Sequence, residues 1–408
     1  MGLEPDYDLS PAVWKKVVYA GTQAASFEQA ARDLTELAEL EISDQRVRRA
    51  TIRIGNERVQ ERDQQTAAHQ ALPLPQQRTS PVEQTPEAVC IEMDGGRMQI
   101  RERGAAEEEA EEPPSDGFWR EMKVGCLTTL KSQVHAQDPC PQLPAVFTDR
   151  KKMAKIAREI KGFSSEAAPA EEPAAAAEPE PDDRPGRPQP LARSVVATRR
   201  GVDEFGPMLA AAAWLRGFAA AVRKAFVADG SEANWGVHRR WFSDYVPILD
   251  FVHALCYVYA AAMAGRTPEE GWELYCQWAQ WVWSGQVQQV MAALQQRVEE
   301  LGEPDASESD GAPRKQIAKT LGYLQNQAGR MHYDQYRQLG LPITSSGVES
   351  TIKRINRRVK GSEKFWSVGA EALLTLTADH LSDIPTLAHF WSHRHHRLTG
   401  LRCYQQAL

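Results

Sequence analysis

Over the first 75 residues the apolar positions recur at intervals of three and four, the spacing of amphipathic helices. Asp8-Leu9-Ser10-Pro11 sets a capping residue before a first-turn proline, and Val13, Val17 and Val18 then begin an apolar face. Ser26 and Gln29 stand at capping-box spacing ahead of a second short helix reaching Leu34. Ser43 caps a third, Asp44 to about Gln60, with Val47, Ala50, Ile54 and Val59 on its apolar side. That leaves Arg46, Arg48, Arg49, Arg53 and Arg58 largely on the open side. A short helix, a turn and a helix with arginines near its start is the arrangement of a helix-turn-helix. A solvated basic face on a small bundle accounts for the same residues equally well.

From Pro86 the pattern changes to alternation. Ala88 to Asp94 reads as a short apolar strand ending on an acid, Gly95-Gly96 as a tight turn, and Met98 to Arg103 as a returning strand. Trp119 to Thr128 alternates again and completes a three-strand meander. Asp149 to Ile160 is a helix with Met153, Ile156 and Ile160 on one side, and Pro207 to Ala225 is an Ala-rich amphipathic helix. Two further buried strands follow: Ala225–Ala228, ending on Asp229-Gly230, and Val246–Asp250, with His253 three residues past its acid. Thr267 to Leu301 is helical, and the spacing of Trp272, Trp278, Trp281 and Trp283 assigns those rings to core packing. A helix from Arg314 is followed by one over Ser345–Lys360. Its apolar face is Val348, Ile352, Ile355 and Val359, with Glu349 beside that face and Lys353, Arg354, Arg357 and Arg358 opposite. A meander, a helix, and then strands separated by helices predict an α/β fold with a mixed sheet and covering helices.

The 408 residues carry a net charge of −7, which taken alone argues against a nucleic-acid partner. Its distribution reverses that. Gly104–Asp116 holds six acids and no base, Ser164–Pro190 seven acids against two arginines, and Glu303–Asp310 four acids. These stretches are too poor in large apolar residues to offset the entropy of ordering, and they read as solvated loops or linkers. They carry −15 together, so the remainder of the chain is at +8. No stretch reaches the ~20 apolar residues of a membrane span. The first residues lack the run of a signal peptide, and the six cysteines show no CxxC or metal-finger spacing. A reduced, cytoplasmic setting is the expectation.

Asp94 and Asp229 each end an apolar strand, and Glu349 lies in the first turn of a late helix. Taken singly, an Asp-Gly after a strand is most often just a turn. As a set the three are more informative, because strand ends of a mixed sheet converge on one edge. Carboxylates brought together raise one another's pKa values unless a cation neutralises them. Hard oxygen ligands select Mg²⁺ or Mn²⁺, and two such ions ~3.5–4 Å apart suit in-line phosphoryl transfer. Asp250 and His253 read as a hydrogen-bonded pair rather than a metal site, since no third soft ligand is evident. The run His393-Arg394-His395-His396-Arg397 reads as an exposed basic end.

Several short blocks, in this order, resemble one family. They are Asp94-Gly95-Gly96-Arg97-Met98-Gln99-Ile100-Arg101, Trp119-Arg120-Glu121-Met122-Lys123-Val124-Gly125, Ala228-Asp229-Gly230, Leu249-Asp250-Phe251-Val252-His253 and Gly347-Val348-Glu349-Ser350. The basic stretch Arg357 to Trp366 follows them. The resemblance, over roughly Pro86 to Trp366, is to bacterial insertion-sequence DDE transposases of the Mutator-like group with a (Cys/Asp)-x-x-His motif. It implies a ribonuclease-H-like mixed sheet flanked by helices, with a helical insertion at about 266–340 before the catalytic Glu. It makes Asp94, Asp229 and Glu349 the catalytic, metal-binding triad for two Mg²⁺ or Mn²⁺ ions, supported by Asp250 and His253. It assigns Lys353, Arg354, Arg357, Arg358, Lys360, Lys364 and Trp366 to double-stranded DNA at element ends and target. Arg46, Arg48, Arg49 and Arg53 would serve an N-terminal end-binding helix-turn-helix. The implied protein is a homo-oligomer on DNA in the bacterial cytoplasm or nucleoid, with no membrane partner.

The expected organisation is an all-α helix-turn-helix domain over 1–80 and a catalytic domain in two parts, 81–163 and 191–383. A Pro/Ala/Glu linker over 164–190 separates those parts, and 384–408 is a basic tail. The implied enzyme activates water and then a DNA 3′-hydroxyl, so cleavage and strand transfer are one displacement with two nucleophiles. Two alternatives stay open: a ribonuclease-H-like nuclease without strand transfer, and a non-catalytic, domesticated or inactive DNA-binding protein.

Overall fold

A computed structural model describes residues 9–100, 118–161, 185–305, 307–360, 366 and 369–399. The acidic insert at 104–116, most of that at 164–190, and Lys364 lie outside the described residues. The helices and strands, in chain order, are α1 Pro11–Gln23, α2 Phe27–Ala38, α3 Asp44–Ala71, α4 Leu74–Gln77, β1 Ala88–Gln99, β2 Trp119–Lys131, α5 Arg150–Lys161, β3 Gln189–Thr198, α6 Val202–Leu215, β4 Arg223–Ala228, α7 Glu232–Trp241 and β5 Val246–Leu249. They continue with α8 Phe251–Met263, α9 Pro268–Trp283, α10 Val287–Leu301, α11 Pro313–Gln327, α12 Tyr333–Gln338, α13 Ser346–Val359, α14 Ala370–Leu381 and α15 Thr386–Thr399.

The strands form one five-stranded mixed sheet in the order β3-β2-β1-β4-β5, so the fold is α/β as the pattern predicts. β2 runs antiparallel to both β1 and β3, while β1, β4 and β5 are parallel. The meander differs from expectation. Gly95-Gly96 is no turn: β1 continues through it, with Gly95 opposite Lys123, Gly96 opposite Met122 and Gln99 opposite Trp119. Gly96 serves close packing instead, since a Cβ there would stand 2.4 Å from Met122 Cε and 3.4 Å from Ile352 Cγ2. The third strand of the antiparallel half is β3, which begins inside the segment expected to be linker.

Helices cover both faces of the sheet. α6 lies on the Gly125 side, where Phe205 and Leu209 fill the space a side chain would take. On the other side Val348, Ile352, Ile355 and Val359 of α13, with Leu373 and Leu374 of α14, pack on Met98, Met122, Val124 and Cys126. Of the tryptophans of α9, Trp278 and Trp283 are core residues, as their spacing predicts, with Trp283 fully buried against Phe147 and Phe251; Trp272 and Trp281 are half-buried against the same core.

The N-terminal helices form a cluster around Trp14, Val17, Leu34, Val47 and Ile54, shared with Leu376 of α14 and Phe390 of α15. α3 runs well past the expected end near Gln60, to Ala71. Apolar periodicity stops at Val59, but the buried stripe continues in polar residues: Arg58, Arg62, Thr66 and His69. Arg58 Nε lies 2.9 Å from Asp379 Oδ2, and Arg62 Nη1 donates to Glu371 Oε1 at 2.9 Å and Thr375 Oγ1 at 3.1 Å. Residues 386–399, expected as an exposed basic end, are helical, and Arg394 is buried with its Nε donating to Glu57 Oε2 at 2.7 Å.

Removing one partner of a buried ion pair strands the other charge away from water, at about 3–5 kcal/mol. Arg58→Met is expected to destabilise the protein by about that amount in urea unfolding. Arg58→Met with Asp379→Leu should recover much of it, and equal losses in single and double variants would show that the pair is not the cause.

Candidate active site

Register brings the acids together. Glu92 of β1 is level with Val227 of β4, and Ala228 of β4 is level with Leu249 of β5. Continuing both alignments to the strand ends puts Asp94, Asp229 and Asp250 side by side across three adjacent parallel strands. Residues level with one another share a face. α13 crosses that face of β1 and delivers Glu349 from its first turn. The three expected carboxylates, from sites far apart in sequence, are thus neighbours, and each raises or lowers the ionisation of others in the group.

Asp94 is half-buried; burial and the Asp229 charge push its carboxyl up to about 6. Glu349 is raised to about 7 by burial, then by the charges of Asp250 and Asp94, with His253 and Lys353 opposing. Glu92, in the middle of β1, is raised to about 8, chiefly by burial. It escaped the pattern reading because it occupies an otherwise apolar strand. The available signal was that interruption, two residues before Asp94.

Asp250 and His253 form the expected pair. Asp250 caps α8: its Oδ1 accepts from the His253 backbone N at 2.7 Å and lies 2.9 Å from His253 Nδ1. Its Oδ2 accepts from Ser345 N at 2.5 Å and Ser345 Oγ at 2.9 Å. Burial works against ionisation of Asp250, but His253 and the Ser345 amide outweigh it and hold the carboxyl below its ordinary range. Burial also disfavours the His253 cation; the hydrogen bond and charge of Asp250, with Asp229 and Glu349 behind it, nevertheless raise the imidazole to about 9. At neutral pH His253 is therefore a buried cation among carboxylates.

The backbone beneath the acids is held by α11 and α12, whose contribution the sequence pattern did not reveal. Tyr323 of α11 donates its hydroxyl to the Asp229 carbonyl at 3.0 Å, and Gln327 donates to that of Gly230 at 3.1 Å. Tyr333 and Tyr336 of α12 do the same for Leu249 (3.0 Å) and Pro247 (3.3 Å). Asn234 of α7 orients the Asp229 side chain, donating to Oδ1 at 2.9 Å beside the Ser231 amide.

Which of these groups could hold a metal follows from the oxygens left over. Asp94 Oδ1 takes the Gly95 amide at 2.7 Å. Among the described residues no donor hydrogen-bonds Asp94 Oδ2, Asp229 Oδ2 or the Glu349 carboxylate. Atoms of Asp250, His253 and Glu349 also come within 4.8 Å of one another. Both oxygens of Asp250 are already hydrogen-bonded, however, and one of its partners is His253, whose Nδ1 lies 2.9 Å from Oδ1. The donors that fit a cation are therefore the oxygens of Asp94, Asp229 and Glu349, a hard set suited to Mg²⁺ or Mn²⁺.

The expected DNA-contacting residues fall into two groups. Lys353, Arg354 and Arg357 are exposed on α13 and Lys360 just past its end, as are Arg48 and Arg49 on α3, while Arg46 and Arg53 are half-buried. Arg358, expected on the same open face, is instead buried. Its guanidinium lies between the rings of Phe27 (4.6 Å) and Trp366 (5.3 Å) and donates to the Gly21 carbonyl at 2.9 Å. Trp366 is half-buried: its backbone N donates to Gln99 O at 2.9 Å, and its indole N–H to Val359 O at 2.8 Å. No family model matches the chain, and no curated protein matches it. Among the described residues no helix is long and apolar enough to cross a membrane.

The raised carboxyls make the folded protein take up protons that the unfolded chain does not. Their effect is to lower stability as pH rises from the ordinary carboxylate range through about 6, 7 and 8, for Asp94, Glu349 and Glu92. His253 acts in the same direction: its raised value stabilises fully below 6.5, and the benefit is lost as pH rises through about 9. His69, His238 and His380, held below 6.5 by burial, act in the opposite direction as pH rises toward 6.5, so the Tm of the metal-free protein is expected to fall between about pH 7 and about pH 8.5. Mg²⁺ or Mn²⁺ should raise Tm more at the upper end than at the lower, where protons compete. Asp229→Asn should blunt that response in differential scanning fluorimetry; an unchanged response would remove Asp229 from the ligand set.

Proposed function

We propose that the protein is a divalent-metal-dependent DNA transposase with a ribonuclease-H-like catalytic domain. The observation that carries this reading is the meeting of Asp94, Asp229 and Glu349 at one edge of the mixed sheet, beside the exposed cations of α13. The three antiparallel strands that continue into two parallel ones support the fold assignment.

Asp94, Asp229 and Glu349 would hold the metal, which when bound would stabilise charge on the attacking and leaving oxygens of phosphoryl transfer. The chain's own groups supply position and charge. Lys353, Arg354, Arg357 and Lys360 neutralise backbone phosphates and fix the scissile strand against α13. Asn234, Tyr323 and Gln327 hold Asp229 and its turn, and Asp250 holds the entrance to α13 through Ser345. His253 keeps a proton between Asp250 and the triad and lowers the repulsion within it. The nucleophile is water for cleavage and a DNA 3′-hydroxyl for strand transfer, with no covalent protein–DNA intermediate.

The test is incubation with DNA carrying the element's terminal sequences and Mg²⁺ or Mn²⁺. Wild type should nick and join the DNA, while Asp94→Asn, Asp229→Asn and Glu349→Gln each lose at least ~100-fold, the scale of losing several kcal/mol of charge stabilisation. Cleavage without joined product would make the protein a nuclease. Equal activity in wild type and the three variants would remove the site. Lys353→Ala with Arg357→Ala should weaken DNA binding at every sequence and reduce its salt dependence.

A further inference from the structure

α13 begins without a cap from its own chain segment. Ser345 stands at the capping position, but its amide and hydroxyl both donate to Asp250, and no side-chain cap bond forms. The first-turn amides of a helix need acceptors. That of Val348 is taken by Glu92 Oε2 at 2.7 Å, from 256 residues away on β1. The approach depends on Gly347, where a Cβ would stand 2.3 Å from Glu92 Oε2. A carboxyl oxygen can accept this bond whether or not the group is ionised. Glu92 and Asp94 are two residues apart on one strand and share its face. Val348 and Glu349 are consecutive on α13. A single hydrogen bond thus ties the backbone beneath Asp94 to the backbone beneath Glu349.

We propose that Glu92 is a positioning residue, which caps α13 from the neighbouring strand and so sets the placement of Glu349 relative to Asp94. The consequence for metal binding rests on the function proposed above; the cap itself does not. Gly347 and Glu92 are then a matched pair, since either a side chain at 347 or loss of the acceptor at 92 displaces the first turn of α13.

Three variants test this in the full-length protein. Glu92→Gln keeps an acceptor of the same shape. Glu92→Ala removes it and enlarges a cavity of about 310 Å³ that Glu92 borders, so some loss of stability accompanies it. Gly347→Ala leaves the acceptor in place and blocks its approach. Hydrogen exchange at the Val348 amide in metal-free protein is expected to quicken about 10-fold or more in Glu92→Ala and Gly347→Ala, and to stay near wild type in Glu92→Gln. The Mn²⁺ dissociation constant, followed by electron paramagnetic resonance, should rise ~10–100-fold in the first two variants and recover in Glu92→Gln. A residue that serves stability alone would reduce the folded fraction without moving that constant. Unchanged Val348 exchange in Glu92→Ala overturns the cap, whatever Mn²⁺ does. An unmoved Mn²⁺ constant beside quickened exchange overturns the positioning role. Quickened exchange in a protein whose wild type binds no Mn²⁺ supports the cap and instead overturns the metal-dependent function.

Discussion

Carboxylates gathered at the end of a sheet repel one another, and side-chain contacts among them supply little to hold them there. The backbone has to do it. β1, β4 and β5 are fixed by ladder register, and the carbonyls at the ends of β4 and β5 are gripped by Tyr323, Gln327, Tyr333 and Tyr336 from α11 and α12. α11 and α12 are therefore part of the site's foundation. Without those donors the Asp229-Gly230 turn would have less to oppose its acid moving away from Asp94.

Asp250 solves the same problem differently. It accepts from the first turn of α8 and from the segment entering α13, so one buried carboxylate joins two helices to the end of β5. His253 supplies the compensating charge, and the pair is stable as a pair because each partner shifts the other toward its ionised form. The remaining acids have no such partner among the described residues. The raised values of Asp94 and Glu349 reflect burial first and the charges of neighbouring acids second.

Much of the site was legible in the sequence because its parts lie on strongly patterned elements. β4 and β5 are short apolar runs ending on acids, and α13 carries an apolar stripe at helical spacing with Glu349 beside it. What was hidden depends on contacts between distant segments. Gly95-Gly96 carries a hairpin signal that pairing with β2 overrides, and β3 starts in a Pro-rich stretch that resembles linker. The second half of α3 buries arginines rather than apolar residues, so no hydrophobic period marks it. Arg358 looked like one more cation on an open face, and only the packing of Phe27 and Trp366 shows it turned inward.

The inward turn of Arg358 gives α13 a mechanical character. At one end the helix is pinned to β1 and to Asp250; at the other, Arg358 donates to the carbonyls of Gly21 in the last turn of α1 and of Ala25 just past it. Its 14 residues make a rod ~21 Å long. A rod held at both ends keeps its anchors one helix length apart, so the N-terminal helices and the turn that carries Glu349 are spaced by a single element rather than by a loop.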